Sequence, residues 1–138
     1  MPVLLDTNVV SELARPKPDP RVEQFCASVA VAYLSVVTLH ELEYGARLVT
    51  AKSQAKKLRL WLNGIREHYA RSILPVTVEI AETAARMRAE ASRLGKTLHT
   101  EDALIAATAD VHALQLATRN LRDFAETGVK LINPWSGK

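Results

Sequence analysis

The residues of this chain best placed to do chemistry are acidic, and they fall at recurrent positions. Asp6 directly follows the apolar run Val3-Leu4-Leu5. Glu41 lies just past Ala32-Tyr33-Leu34, Asp102 opens a segment headed by Thr100, and Asn120 and Asp123 follow Leu116-Ala117-Thr118. If the apolar runs are strands of one parallel sheet, these side chains converge on the rim outside its carboxyl ends, where open α/β sheets bind ligands. Three or four carboxylate-type ligands on one rim form a hard oxygen site suited to Mg²⁺ or Mn²⁺. Crowded carboxylates repel one another, and a divalent cation relieves that repulsion.

Each acid also has a purely structural account. Asp6 is a good helix N-cap. Thr38-Leu39-His40-Glu41 matches the S/T-x-x-E capping box, which puts Glu41 in the first turn of a helix. Glu101 and Asp102 favour the positive end of a helix dipole, and Asp123 in Arg122-Asp123-Phe124 fits a surface or cap position. The functional reading gains from coincidence, because four unrelated structural reasons would all have to land on one rim. His40, His68, His99 and His112 lack metal-type spacing and read as surface or partly buried residues. Cys26, on an apolar stripe without basic neighbours, reads as core, and Trp61, Tyr33, Phe25 and Met87 fit core or interface positions. No Gly-rich phosphate loop is present, which argues against a nucleotide-dependent kinase or dehydrogenase.

The elements that must position these acids alternate. Val3–Leu5 reads as a first strand and a helix begins near Val9, ended by Pro16 and Pro18. Pro20 opens a second helix, Ala32–Leu34 forms a second strand closed by Ser35, and helices return over 39–49 and 55–69. Ile73-Leu74-Pro75-Val76 predicts a strand near an edge, since proline cannot donate to a central ladder. Ile80, Ala84, Met87, Ala91 and Leu94 mark the seam of a long helix ended by Gly95. Thr100 caps a helix rich in alanine, and Leu116–Thr118 and Val129–Ile132 supply two last strands. The alternation predicts an α/β fold with a mainly parallel sheet, covered on both faces by right-handed crossovers.

Size and composition set the frame. The 138 residues, 48% hydrophobic and 24% charged, fit one globular domain over 1–138 and exclude wholesale disorder. A lone cysteine cannot form an internal disulfide, no secretory leader is visible, and no apolar stretch approaches the ~20 residues of a membrane span, so a cytoplasmic protein is expected. The net charge is +3. Arg47, Lys52, Lys56, Lys57, Arg59, Arg66 and Arg71 face only Glu67 within one stretch, a basic surface capable of tracking a phosphate backbone or of serving as a solvated helix face.

Four ordered segments carry a resemblance: Leu4-Leu5-Asp6-Thr7-Asn8-Val9-Val10-Ser11, Ser35-Val36-Val37-Thr38-Leu39-His40-Glu41-Leu42-Glu43-Tyr44-Gly45, Asp102-Ala103-Leu104-Ile105-Ala106-Ala107-Thr108-Ala109 and Ala117-Thr118-Arg119-Asn120-Leu121-Arg122-Asp123-Phe124. Together they resemble the PIN-domain family, and within it the VapC-type toxins of bacterial type II toxin–antitoxin pairs. The ending Ile132-Asn133-Pro134-Trp135 is similar to the FitB-like branch. The resemblance implies a three-layer α/β/α sandwich with a short, mainly parallel sheet of about five strands. It also implies an endoribonuclease dependent on Mg²⁺ or Mn²⁺, cutting RNA by metal-assisted phosphodiester hydrolysis.

By the same resemblance, Asp6, Glu41 and Asp102 match the family's main acidic positions, with Asp6 and Asp102 as direct ligands and Glu41 as ligand or orienter of water. Asn8 and Thr118 match supporting polar positions. The sequence departs at the fourth acid, where FitB-like proteins carry TRD and this chain has Thr118-Arg119-Asn120. Either Asn120, through its amide oxygen, or Asp123 would then complete the site. Arg47, Lys52, Lys56, Lys57 and Arg59 would guide RNA. The implied partners are a VapB-like antitoxin, a second copy of the chain, and operator DNA reached through the antitoxin, with the apolar residues Trp61 and Leu62 as one expected interface. Two other readings stand beside this one. A phosphatase using Asp6 as phosphoryl acceptor needs an acid where Asn8 stands, and a catalytically silent PIN-fold module would act only through its antitoxin and DNA complex.

Overall fold

The computed structural model describes residues 1–136. In chain order the elements are β1 (Val3–Leu5), α1 (Thr7–Leu13), α2 (Pro20–Ser28), β2 (Ala32–Ser35), α3 (Val36–Leu48), α4 (Lys52–His68), β3 (Ile73–Leu74), α5 (Val78–Arg93), α6 (Thr100–Val111), β4 (Gln115–Ala117), α7 (Leu121–Phe124) and β5 (Leu131–Ile132). The five strands form one sheet in the order β3-β2-β1-β4-β5, and every pairing is parallel. The chain builds outward from β1 to β2 and β3, then returns to the other side of β1 for β4 and β5. The strand order therefore reverses at β1, and the crevice beyond the carboxyl ends of β1 and β4 is the topological switch point.

Strand β1 is central and fully buried, which is why Val3-Leu4-Leu5 is uninterrupted apolar sequence. Its side chains alternate between two cores. Leu4 joins Ile80, Met87, Ile105 and Leu116 beneath α5 and α6, while Val3 and Leu5 join Val9, Val10, Val22 and Leu34 beneath α1 and α2. The small residues Ala103, Ala106 and Ala107 of α6 are fully buried, which lets that helix lie close against the sheet. The result is the expected three-layer sandwich of helices, five-stranded sheet and helices.

Several local expectations are corrected. Helix α3 starts at Val36, because Ser35 caps it by accepting the Val37 N–H at 3.0 Å. Thr38 is therefore not a cap but a fully buried residue inside the helix, and Glu41 stands in the second turn rather than the first. Thr100 is the first helical residue of α6 and His99 occupies the cap position without a side-chain bond. Leu94, placed on the seam of α5 by its spacing, is 62% exposed because the helix has already turned into its C-cap. At the expected interface around Trp61 and Leu62, Leu62 is core at 1% exposed, while half-buried Trp61 packs against the α1/α2 cluster.

Gly95 does end α5 as its spacing predicts. Its φ of 72° is left-handed, Gly95 N–H reaches Ser92 O at 3.0 Å, and Lys96 N–H reaches Ala91 O at 2.9 Å, a Schellman motif. A Cβ added there meets nothing within 4 Å. Gly95→Ala is therefore expected to lose only the backbone's conformational preference, about 1 kcal/mol. A drop in the urea midpoint equal to that loss divided by the slope, with the slope unchanged, is the readout.

Candidate active site

The last rung of the β1–β4 ladder sets the site. Asp6 N–H bonds Ala117 O at 2.9 Å, so Asp6 and Thr118 leave their strands side by side at the switch point. Asp6 caps α1 through Oδ1, which accepts the Thr7 N–H at 2.8 Å, and Oδ2 accepts the Thr118 hydroxyl at 2.7 Å. The capping account of Asp6 is thus correct and does not compete with a site role. Thr118 is fully buried and also accepts from Asn120 N–H at 3.0 Å and the Asn8 amide at 3.4 Å. Asn8 in turn accepts the Arg119 N–H at 3.3 Å. Thr118 and Asn8 therefore brace the Asp6 carboxylate and the turn after β4 together.

Glu41 reaches the same place from α3. Its Oε1 is hydrogen-bonded to the Thr7 hydroxyl at 3.1 Å, and that hydroxyl lies 3.1 Å from the hydroxyl of buried Thr38. Thr7 and Thr38 are positioning residues that the spacing of the acids did not single out. Asp102 arrives from the first turn of α6. Asp6, Glu41, Asp102 and Asn120 line one cleft of about 480 Å³, together with Glu12, Arg15, Arg119 and Trp135. A second hollow of about 520 Å³ shares Glu41 and Asp102 and is walled by His40, Tyr44 and His99. Asp123 is exposed and lines a different hollow, but its charge acts on both Asp6 and Asp102. Of the two candidates for the fourth position, Asn120 is the one on the wall of the cleft.

Glu12, missed in the sequence, is 6% exposed and accepts the Asp19 N–H at 2.9 Å and Arg15 at 3.3 Å, which ties α1 to the turn before α2. The spacing of Asn8, Glu12 and Arg15, at four and three residues, was the available signal. The five basic residues expected to guide RNA lie elsewhere, for none lines the acid cleft. Arg47 clasps Glu43 within α3 at 2.9 Å, and Arg59 clasps the same carboxylate from α4 and so ties α3 to α4. Lys52, Lys56 and Lys57 are exposed on α4.

The electrostatics of the cleft are those of desolvated, mutually repelling acids. Burial is the main cause that raises Asp6 above the usual carboxyl range; the Thr118 and Thr7 bonds oppose it, and Glu41 and Asp123 add to it. Burial also raises Glu41, with Asp102 adding repulsion and Thr7 opposing. Asp102 is pushed up to about 6 by burial first and then by Asp6 and Asp123. Among the described residues, none of these three acids has a Lys or Arg ion-pair partner. Among the described residues, no group of three His, Cys, Asp or Glu side chains is by itself disposed as a metal cage. An all-oxygen set of uncompensated carboxylates fits Mg²⁺ or Mn²⁺, since such ions bind through one or two carboxylates and keep waters and substrate oxygens for the rest.

Comparison with known proteins places the chain in a family. The family model described as PIN domain matches residues 3–130. The chain belongs to the PIN-domain family. It is similar to Toxin FitB of Neisseria gonorrhoeae, at 38% identity over 96% of this chain and 98% of that protein. It is also similar to VapC ribonuclease Y4jK of Sinorhizobium fredii, at 33% identity over 96% and 97%. Among solved structures, FitAcB from Neisseria gonorrhoeae superposes with a TM-score of 0.91 at 38% identity, covering 98% of this chain and 99% of that one. FitAB bound to an IR36 DNA fragment superposes at 0.88 and 36% identity, covering 98% and 96%. The PIN-domain chain described here shares with these relatives essentially its whole length. Among the described residues, no helix is long and apolar enough to cross a membrane.

Proposed function

We propose that this PIN-domain chain is the toxin of a VapBC-like type II toxin–antitoxin pair. On this reading it is an Mg²⁺- or Mn²⁺-dependent endoribonuclease acting in the cytoplasm, and residues 1–138 are one domain. The observation that carries the reading is the trio of Asp6, Glu41 and Asp102, brought to the switch point from three separate elements with no Lys or Arg ion-pair partner among the described residues. Membership of the family and the likeness to a toxin and a ribonuclease support it.

Asp6 and Asp102 would hold the ion, with Glu41 beside them and Asn120 or Asp123 in the fourth position. A bound divalent ion supplies Lewis acidity for phosphodiester hydrolysis. The chain's own groups set the geometry. Thr118 and the Thr7 N–H each take one oxygen of Asp6 and hold its carboxylate in one plane. Thr7 takes Glu41 Oε1, which leaves Oε2 to accept a hydrogen bond from the attacking water. Water attack in this arrangement needs no covalent enzyme intermediate.

The likeness to FitAB on DNA supports a cognate VapB-like antitoxin and operator DNA reached through it; inhibition by that antitoxin and a homodimer of this chain are part of the same proposal. The test is cleavage of defined structured and single-stranded RNAs by antitoxin-free protein in Mg²⁺, Mn²⁺ or EDTA. Metal-dependent cuts are expected; absence of both cleavage and divalent-ion binding would refute the reading. Lys52, Lys56 and Lys57, exposed on α4, would add long-range attraction. Replacing all three with Gln is expected to weaken RNA binding about threefold at low salt and hardly at all at high salt, because exposed charges beyond about 10 Å are screened. Equilibrium titrations at two salt concentrations check this.

A further inference from the structure

The acid cleft poses an electrostatic problem for an anionic substrate, and one residue is placed to solve it. Arg119 lines the cleft, and its guanidinium carbon lies 4.9 Å from the centroid of the Trp135 ring. Trp135 is 6% exposed and packed among Val3, Leu5, Val9 and Val10, so it offers a rigid platform. Its own backbone is held in turn, with Trp135 N–H donating to Asn133 Oδ1 at 2.9 Å. The base of Arg119 is equally fixed, since its N–H bonds Asn8. Among the described residues Arg119 has no ion-pair partner. Asp19 feels its charge, but both Asp19 oxygens are taken by Arg21, at 3.1 and 2.8 Å. The other cleft arginine, Arg15, is engaged by Glu12.

A planar cation stacked on a buried ring has its donors free at the edge and little rotamer freedom left to lose on binding. Arginine presented in this way matches the bidentate geometry of a phosphate. We infer that Arg119, seated on Trp135, binds a backbone phosphate of the RNA strand beside the bond that is cut, with Trp135 as the residue that positions it. This rests on the endoribonuclease reading above. It adds a cationic contact within the cleft, distinct from the basic surface of α4.

The test separates binding from cleavage. A fluorescently labelled single-stranded oligoribonucleotide is titrated in Mg²⁺ against Asp102→Asn protein, alone and combined with Arg119→Gln, Arg119→Lys, Trp135→Leu or Trp135→Phe. Arg119→Gln is expected to weaken binding about tenfold and to lower the slope of log affinity against log salt by about 0.7, the loss of one phosphate contact on a single strand. Arg119→Lys should keep the slope yet lose much of the affinity, and Trp135→Phe should lie nearer the parent than Trp135→Leu. In the parent background, Arg119→Gln should raise KM about tenfold with kcat within about threefold. Unchanged affinity and slope in Arg119→Gln would overturn the inference even if the parent cuts RNA normally. Cleavage failing in the parent while Arg119→Gln still lowers binding would overturn the nuclease reading and leave this contact standing. Arg119 is exposed, so an unchanged melting temperature shows that the variant is folded.

Discussion

Asp102→Asn is expected to lower RNA cleavage by about a thousandfold or more while making the metal-free protein slightly more stable at neutral pH. Charge stabilisation at a nuclease metal is worth several kcal/mol, and each ~1.36 kcal/mol is tenfold in rate, so losing one ionised ligand suffices. The stability gain follows from the carboxyl's position. Asp102 is pushed from the ordinary 3.8 up to about 6, by burial and by the charges of Asp6 and Asp123. The folded state thus binds this proton more tightly than the unfolded state. Its contribution to stability is complete below the unfolded value and is lost as pH rises through about 6. Asp6 and Glu41, raised for the same reasons, act in the same direction.

At pH 7 the parent therefore carries an ionised Asp102 at a cost that asparagine removes. The group is half-buried, so solvent screening reduces that cost to about 1 kcal/mol, or about 3 °C in a chain of this length. Melting in EDTA between pH 4 and 8 should show the parent losing stability through pH 6 and Asp102→Asn losing less. Added Mg²⁺ should stabilise the parent by linkage and the variant little. An Asp102→Asn protein that cleaves at the parental rate would sink the assignment.

The second large effect is expected at Thr118. This fully buried hydroxyl uses its one proton on Asp6 and both lone pairs on Asn120 and Asn8. Thr118→Val keeps the volume and removes all three bonds, which leaves a buried carboxylate oxygen without its donor. About 3 kcal/mol of stability should be lost, because an unsatisfied buried charge costs more than the bond itself was worth. Asp6 should titrate still higher, and cleavage should fall between about tenfold and a hundredfold because the carboxylate is no longer held. Thr118→Ser restores the hydroxyl and should recover most of both. Urea unfolding beside initial cleavage rates reads the two effects together, and a Thr118→Val protein matching the parent in both would show that the hydroxyl braces nothing.

What was legible in the chain was what repeats or stops locally. The apolar triplet before Asp6, the proline at the head of α2 and the glycine after α5 each act within a few residues, and each marks its element correctly. Asp6 and Asp102 were legible because they sit at a strand end or a helix start, which residue type marks, whereas Glu41 lies a full turn inside α3. The start of α3 was not, since β-branched Val36-Val37 carry no helical start signal of their own and the sequence marks the helix only from residue 39, while the decisive event is one hydroxyl, Ser35, turning back to an N–H. Contacts between distant segments left no periodic trace. Arg119 on Trp135, Arg59 on Glu43 and Thr7 on Thr38 depend on how helices and sheet pack, which no single segment encodes.

The bond between Thr118 and Asp6 spans nearly the whole chain, one partner just past the first strand to be made and the other just past the fourth. During synthesis, at roughly 5–20 residues per second, Asp6 emerges early and waits for β4 to arrive beside β1. Until then the central strand lacks one neighbour, and Asp6 lacks the hydroxyl that holds it. A nascent chain that has not yet delivered β4 therefore carries no assembled cleft, however much of it has already folded. On the proposed endoribonuclease reading, that order of assembly keeps the chain inert beside the RNA of the ribosome until β4 has docked.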